Sequence, residues 1–278
     1  MLSSEIGTGA VWVRESKTLS RFFVLCGLLI CSGSGAADWR GVTQPDPRDA
    51  ALDFFYQQRA AVSGEDGSRL AAHLAFFNSR AYRLEVVDLG AGDEVAELTF
   101  DDAAERAGCV AGVNGGFFHP DYRPLGLMIS GGQRVGRFES TKLLSGVVYS
   151  DDRGVHLVRR ARFREHPGIG ALLQTGPYLV EHGRAVRELS TRRPARRTFV
   201  ATDWRRHWMI GATTTRVTLA ELADALAAPG TLTSWRTDRA INLDGGSSTG
   251  FFVGGDAPST VTLRPLKRVR NLLCIRPQ

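Results

Sequence analysis

The sequence has little cysteine and no long hydrophobic run, and these absences limit the classes of protein to which the chain can belong. Its one marked apolar stretch, residues 22–30, is too short to span a bilayer comfortably, so we expect no stable membrane span in the mature protein. The six histidines are scattered and show no spacing with the four cysteines that would support a zinc site. Nothing in the composition indicates disorder, collagen or a coiled coil. What is left is a globular protein, and its 278 residues, 43% of them hydrophobic, suffice for an ample core.

The first 37 residues have the pattern of a secretory signal peptide. Three basic residues precede the apolar run, and small residues follow it up to Ala37. A basic segment, a short apolar run and a small-residue cleavage zone are typical of export signals. We therefore predict cleavage after Ala36 or Ala37 and an exported protein, periplasmic or secreted.

The remaining chain is predicted to contain a lead-in over residues 38–69 and one domain over residues 70–278. Within the lead-in, Asp49–Val62 is expected to form a helix. In the domain, short apolar runs with alternating polarity and turn residues at their ends predict many strands, whereas helices are predicted after Thr99 and Thr218. The fold class is therefore α+β, with strand-rich mixed sheets and a few flanking helices in a single compact domain.

The charge balance favours anionic partners. The formal net charge is +6, and the chain stays basic without the predicted signal peptide. Such a surface suits phosphorylated glycans or cell-envelope surfaces. The arginine-rich segments 192–197 and 205–206 are not interleaved with aromatic residues, as a binder of single-stranded nucleic acid would require. We therefore expect no nucleic-acid partner and interpret most of these arginines as a solvated basic face.

Two cysteines remain after removal of the predicted signal peptide, Cys109 and Cys274. In an oxidising compartment such a pair can form a disulfide. Two buried free thiols are equally natural in strands. The sequence leaves both possibilities open.

Two stretches of the domain share one pattern. Residues 110–118 and 240–253 each contain an apolar run, then an amide or acidic residue, two glycines and, further on, a pair of aromatic residues. Each follows a predicted helix that opens with a capping box or its Asp variant, at Thr99 and at Thr218. We infer from this repetition that the two Gly-Gly loops face each other across one cleft.

The second stretch carries the residues best suited to chemistry. Asp244 follows a short strand that stops at a glycine turn, which places its carboxylate at a sheet edge. Gly245 and Gly246 can adopt positive φ and allow close approach of a ligand. Ser247, Ser248 and Thr249 add hydroxyl groups, and exposed N–H groups of such loops can form anion sites. The pattern predicts a carboxylate beside an anion cradle, suited to phosphate or sugar chemistry.

Six motifs, in this order and spacing, resemble the phosphodiester glycosidase family. The resemblance covers about residues 70–276 and rests on Asn114-Gly-Gly-Phe-Phe118, Pro124-Leu-Gly-Leu127, Gln174-Thr-Gly-Pro-Tyr-Leu-Val180, Arg197-Thr198, Thr218-Leu-Ala-Glu-Leu222 and Asn242-Leu-Asp-Gly-Gly-Ser-Ser-Thr249. It implies a hydrolase that acts on a sugar joined through its anomeric carbon to a phosphate. The sequence departs from the family pattern at His119 and at Ala201-Thr202.

The chemistry of a glycosyl phosphodiester assigns roles to these residues. Ordinary glycosidases use two carboxylates, but here the leaving group is already a stabilised phosphate. We expect Asp244 to stabilise the sugar cation or activate water, Arg197 to clamp the phosphate, and Asn114 to bond a sugar hydroxyl or orient water. The remaining predicted substrate- or phosphate-binding residues are Gly115, Gly116, Gly176, Thr198, Gly245, Gly246, Ser247 and Ser248.

The sequence requires no cofactor, although Asp244 and Asn114 offer hard oxygen ligands that suit Ca²⁺ or Mg²⁺. Two other functions are compatible with parts of the sequence. Gly246–Gly250 fits the Gly-x-Ser-x-Gly pattern of serine hydrolases with Ser248 as nucleophile, but that motif requires a following helix, which residues 251–255 do not predict. The chain could instead be a non-catalytic glycan-binding module of the envelope, which would bind without turnover.

Overall fold

Three sheets build the part of the chain that the structure, a computed structural model, describes: residues 38–42, 51–90, 98–254 and 260–278. The predicted signal peptide lies outside these residues. The strands are β1 Trp39–Gly41, β2 Phe54–Ser63, β3 Arg69–Asn78, β4 Tyr82–Asp88, β5 Ala111–Asn114, β6 Met128–Ser130, β7 Gln133–Val135, β8 Gly146–Asp151, β9 Gly154–Arg159, β10 Ala171–Thr175, β11 Tyr178–Glu181, β12 Arg184–Ala185, β13 Thr198–Thr202, β14 His207–Thr213, β15 Arg239–Asn242, β16 Phe251–Val253, β17 Val261–Leu263 and β18 Asn271–Pro277. The helices are α1 Phe100–Arg106 and α2 Leu219–Ala227.

The largest sheet has the order β1-β2-β3-β14-β13-β15-β11-β12. Two five-stranded sheets have the orders β7-β6-β10-β8-β9 and β17-β16-β5-β18-β4. The α+β class and its strand-rich character are confirmed. The prediction of mixed sheets is wrong in detail, because every pairing between these strands is antiparallel. Parallel pairs need long crossover connections, usually helices, and the described chain supplies few.

The segment predicted as a lead-in helix is instead a strand. Residues 54–63 form β2, which pairs over nine positions with β3 in the largest sheet. Ala, Gln and Arg in this segment favour a helix by propensity, but a long partner strand satisfies the same backbone groups and overrides that preference. The described residues of the lead-in therefore pack in the same compact unit as the rest of the described chain.

The main core lies between the sheets, and the helices cover outer faces. Val113, Leu173 and Ile241 come from the three sheets and belong to one buried cluster. The alternation along β16 shows the layering, since Phe251 points into this core while Phe252 packs with α1. α2 packs its buried leucines on the outer face of the largest sheet.

Both helices begin with the predicted capping boxes. Thr99 and Thr218 accept from the N–H groups of Asp102 and Glu221, whose carboxylates accept in return from the cap N–H groups. No helix in the described ranges is long and apolar enough to cross a membrane.

A disulfide joins Cys109 to Cys274 and decides between the two possibilities left open by the sequence. Cys109 lies between α1 and β5, and Cys274 lies in β18 opposite Gly112. The bond therefore fastens the end of α1 to the third sheet across 165 residues of sequence.

Candidate functional site

The two Gly-Gly loops meet where the largest sheet adjoins the third sheet. The Asn114 side chain, at the end of β5, donates from Nδ2 to the Asp244 carbonyl at 2.8 Å. The Asp244 N–H donates to the Gly115 carbonyl at 3.0 Å. The predicted convergence of the loops is thereby confirmed, because each loop supplies backbone groups that the other binds.

Asn114 is held on several sides. Its Oδ1 accepts from Thr198 Oγ1 at 2.7 Å and from the Gly250 N–H at 2.9 Å, and only 1% of the residue is exposed. This one amide connects β5 to β13 and to both ends of the loop that begins at Asp244. Buried amides with such complete pairing fix local geometry. The geometry gives Asn114 and Thr198 a positioning role, and direct contact of either with substrate stays a prediction.

The Asp244 carboxyl is the acidic group of the site. Burial raises its pKa above the ordinary value, and this outweighs the opposing effects of the Ser248 hydroxyl, the Gly245 N–H and the Lys267 ammonium. The Gly245 N–H donates to Asp244 Oδ1 at 2.9 Å. The Ser248 hydroxyl lies close enough to act on the carboxyl but forms no hydrogen bond of standard geometry. Lys267, which our sequence reasoning missed, is exposed and brings a positive charge to this carboxyl.

The glycines after Asp244 differ from each other. Gly246 has φ +65°, and a Cβ at this position would meet nothing within 4 Å, so the space above it is open. Gly245 has an extended backbone with φ −136°. A Cβ on Gly245 would come within 2.9 Å of the Arg196 carbonyl. The predicted positive φ is therefore present at Gly246. At Gly245 the group that lies close to the backbone is the Arg196 carbonyl of the same chain. Ser247 is exposed.

The other glycines that were predicted to bind substrate make contacts within the protein. The Gly116 N–H donates to Asn271 Oδ1 at 2.8 Å, and a Cβ on Gly115 would overlap the same oxygen. Gly176 has φ +154° and its carbonyl accepts from Asn242 Nδ2 at 3.0 Å. These positions shape the floor of the site, and their contact with substrate stays a prediction.

The Arg197 guanidinium is half-buried, and some of its N–H groups already donate to main-chain carbonyls. Its Nε donates to the Val217 carbonyl at 2.9 Å, and its Nη2 donates to the Arg193 carbonyl at 3.0 Å. Burial lowers the pKa of Arg197, and Glu221 opposes the shift. Two of the five N–H donors of an arginine are thus used to hold the loop before β13. The predicted phosphate clamp depends on the other three.

Several buried polar atoms around the loops lack a hydrogen-bond partner within the described part of the chain. They are Arg196 Nη2, Asn242 Oδ1, Ser248 Oγ, Thr249 Oγ1 and Asn271 Nδ2. Buried polar atoms are nearly always paired, so these atoms can accept a ligand or water, although unpaired atoms also occur away from the loops, for example at Trp39 and Trp208. Thr249 belongs to the hydroxyl group predicted from the sequence, whereas Asn271 was not identified, since only the fold brings it to the loops.

The geometry around Ser248 does not resemble that of a serine hydrolase. Ser248 is fully buried in a 3₁₀ turn over residues 246–248, and the strand β16 follows it. A nucleophile elbow needs a helix at that point and an exposed hydroxyl. For metals, no three His, Cys, Asp or Glu side chains within the described ranges come together in a group that could hold an ion.

Comparison with known proteins gives both a family and a fold. The model of the phosphodiester glycosidase family matches residues 107–276. The catalytic domain of zebrafish N-acetylglucosamine-1-phosphodiester alpha-N-acetylglucosaminidase, auto-inhibited by its pro-peptide, shares the fold with a TM-score of 0.62 and 15% identity over 88% of this chain and 90% of that chain. A hypothetical protein from Synechocystis has a TM-score of 0.53 and 17% identity over 80% of this chain and 62% of its own. No curated protein sequence matches significantly. The family match spans more than half of the chain and includes both Gly-Gly loops, and the chain therefore belongs to the phosphodiester glycosidase family.

Proposed function

We propose that this protein hydrolyses a glycosyl phosphodiester, in which the anomeric carbon of a sugar is joined through oxygen to a phosphate that carries a second ester. One observation carries the proposal. The Lys267 ammonium brings a positive charge to the Asp244 carboxyl where the two loops meet, and the space next to Gly246 in the same loop is open. A carboxylate and a cation at one opening suit a substrate with an electrophilic carbon next to an anion.

The leaving group decides what the site has to supply. A phosphodiester carries one negative charge, and the phosphate that departs gains a second as the glycosidic C–O bond breaks. A cation near that phosphate therefore binds the transition state better than the ground state. Lys267 is exposed and free of carboxylate partners within 4 Å in the described chain, so it can fill this role.

Asp244 acts on the sugar side in this proposal. Its ionised form stabilises the positive charge that develops at the anomeric carbon, or accepts a proton from the attacking water. Partial burial strengthens its interaction with a developing cation, because fewer water molecules screen the charge. Asn114 fixes the main chain at Asp244 and so fixes the direction of the carboxyl. Arg197, through its uncommitted N–H groups, is the second candidate for binding the phosphate.

We also propose that the protein is exported. The first 37 residues have the order of a signal peptide, and the disulfide between Cys109 and Cys274 is typical of an oxidising compartment. Sequencing the N-terminus of protein recovered from the cell envelope tests this, since an intact Met1 would contradict it.

A substrate panel tests the reaction. Methyl phosphodiesters of N-acetylglucosamine 1-phosphate, glucose 1-phosphate and mannose 1-phosphate are compared with the matching methyl glycosides, and free sugar and methyl phosphate are measured. The first sugar is included because the zebrafish protein is named for it. We expect turnover of at least one diester and none of the methyl glycosides. Each assay is repeated with EDTA and with added Ca²⁺ or Mg²⁺ to establish metal dependence.

Two outcomes would contradict the proposal. Binding of a diester without product would indicate a glycan-binding module. Equal turnover of diesters and methyl glycosides would indicate an ordinary glycosidase. Hydrolysis in ¹⁸O-labelled water then identifies the broken bond, since label in the sugar means C–O cleavage and label in the phosphate means P–O cleavage.

A further inference from the structure

A groove of about 680 Å³ lies at the other end of the largest sheet from Asp244. It is formed by the β13–β14 turn, residues 203–206, together with the β8–β9 turn and the β3–β4 turn. The length of β13 gives the distance between the groove and the candidate active site. Thr198 at one end of this strand bonds Asn114, and Thr202 at the other end accepts from the main-chain N–H of Trp204 in the groove. Five strand residues span about 13 Å. The groove is thus distinct from the candidate active site.

Cationic side chains dominate this groove. Arg80, Arg153, Arg205 and Arg206 line it and are exposed. Within the described chain, none of the four forms an ion pair. Four guanidinium groups without ion-pair partners around one concave surface attract an anion and can bind it with paired N–H donors.

Two carboxylates near the groove already accept hydrogen bonds from neighbouring groups. Asp203 pairs with His207 at 2.7 Å and accepts from the Arg205 N–H at 2.8 Å. Asp151 pairs with His156 at 2.8 Å and accepts from the Arg153 N–H at 2.9 Å. Both carboxylates shape the turns that carry the arginines. Their hydrogen bonds point into the turns, and neither carboxylate forms an ion pair with one of the four arginines.

The side chain of Trp204 lies among these arginines and offers an aromatic ring. Trp204 is 44% exposed and occupies the left-handed region with φ 62°, which is unusual for a bulky residue. The buried Arg239 stacks on its ring with the guanidinium carbon 3.2 Å from the centroid, and the main-chain N–H of Trp204 donates to Thr202 Oγ1 at 3.0 Å. The ring is therefore held from beneath. Strained conformations that persist on a surface are typical of binding sites.

We propose that this groove binds an acidic saccharide, a short carboxylated or phosphorylated glycan segment, with one sugar ring on Trp204 and its anionic groups on Arg205, Arg206, Arg80 and Arg153. A single supported aromatic ring beside paired cations fits one sugar ring and its acidic substituents. Single-stranded nucleic acid would need several successive aromatic platforms. The proposal stands independently of the hydrolytic reaction, because the groove shares no residue with the Asp244 site.

Calorimetric titration of the protein with trigalacturonic acid tests this directly, and maltotriose and oligo(dT)₆ serve as comparison ligands. We expect trigalacturonic acid to bind at least tenfold more tightly than either. Arg205→Gln with Arg206→Gln should weaken its binding by about tenfold or more, as expected for two lost charge-assisted hydrogen bonds. Trp204→Ala should weaken it as well, and Trp204→Phe should weaken it less.

The matched control is Arg106→Gln with Arg187→Gln, which removes the same charge from exposed positions outside the groove. The control should bind trigalacturonic acid like the wild type. Equal weakening in the control, or wild-type binding no tighter than that of maltotriose, would overturn the proposal. Tighter binding of oligo(dT)₆ would overturn it in favour of a nucleic-acid surface. Because titration needs no turnover, its result does not depend on whether the glycosyl phosphodiesters are hydrolysed.

Discussion

At the scale of single residues, Asp244 is the group whose surroundings determine the chemistry. Burial raises its pKa, while Lys267 and the Ser248 hydroxyl lower it. The proposed reaction needs the ionised carboxylate, so activity is lost as pH falls through this raised pKa. The acid limb of the pH–rate profile should therefore lie above the ordinary aspartate value of 3.8.

Lys267→Gln should move that acid limb to higher pH. Removing a nearby positive charge makes ionisation of Asp244 harder, which raises its pKa further. The same variant should lower kcat, because the departing phosphate loses a cation. The measurement is kcat/KM against pH. Arg106→Gln removes one charge at the far end of β5 and serves as the control. An unmoved limb in Lys267→Gln, or an equal shift in Arg106→Gln, would show that Lys267 does not act on Asp244.

The two glycines after Asp244 should respond differently to alanine. Gly246→Ala introduces a side chain into open space but at positive φ, which costs about 1–2 kcal/mol in backbone strain. Gly245→Ala brings a Cβ against the Arg196 carbonyl, which must shift. We expect Gly245→Ala to lose more stability in urea denaturation, and Gly246→Ala to lose mainly substrate affinity. Wild-type kinetics in both variants would contradict the cradle.

At the scale of elements, the hydrogen bond from Thr198 to Asn114 links the largest sheet to the third sheet. Thr198→Val keeps the side-chain volume and removes this donor, which should cost about 1 kcal/mol of folding stability. It should also lower kcat more than it raises KM, because Asp244 loses its alignment.

Thr202→Val, at the other end of β13, is the matched control. Its hydroxyl donates to the His207 carbonyl, so the variant also loses one hydrogen bond and should lose similar stability. Its kcat should stay at the wild-type value. If both variants lower kcat equally, the effect is loss of packing and not positioning of Asp244.

Local signals in the sequence predicted much of this architecture. Alternating polarity with turn residues identified the hairpins β8–β9 and β13–β14, and the capping boxes located both helices. β2 was predicted wrongly, because its strand state depends on pairing with β3 and not on its own residues. The antiparallel direction of strand pairing could not be predicted either, since local patterns do not specify which strands become neighbours.

The site was predictable in part for the same reason. The repeated Gly-Gly pattern located Asp244 and Asn114 and indicated that they converge. Lys267 lies in a basic segment whose sequence resembles any solvated surface, and only the fold brings it to Asp244. Arg197 was predicted as a phosphate clamp from its place at a strand start, but the sequence does not reveal its bonds to the Val217 and Arg193 carbonyls.

At the scale of the whole molecule, the disulfide closes most of the described chain into one loop. Reduction of the bond between Cys109 and Cys274 should lower the free energy of unfolding by about 2–5 kcal/mol, because the unfolded chain gains freedom. Urea denaturation with and without reductant measures this. The variant with serine at both positions should be equally destabilised and insensitive to reductant. Identical midpoints for the oxidised and reduced wild type would contradict a stabilising role.

The central claim is that Asp244 serves the reaction and not the fold, and Asp244→Asn tests it most directly. A carboxyl whose pKa is raised on folding destabilises the native state at pH above that pKa, so the neutral amide should leave the melting temperature at pH 7 unchanged or higher.

The measurement is kcat for hydrolysis of a glycosyl phosphodiester, with the melting temperature taken on the same samples. Loss of the charge from the transition state should lower kcat by roughly 30-fold to several-thousand-fold, equivalent to about 2–5 kcal/mol, with little change in KM. A kcat within a few-fold of the wild type, or a melting temperature that falls together with kcat, would contradict this assignment.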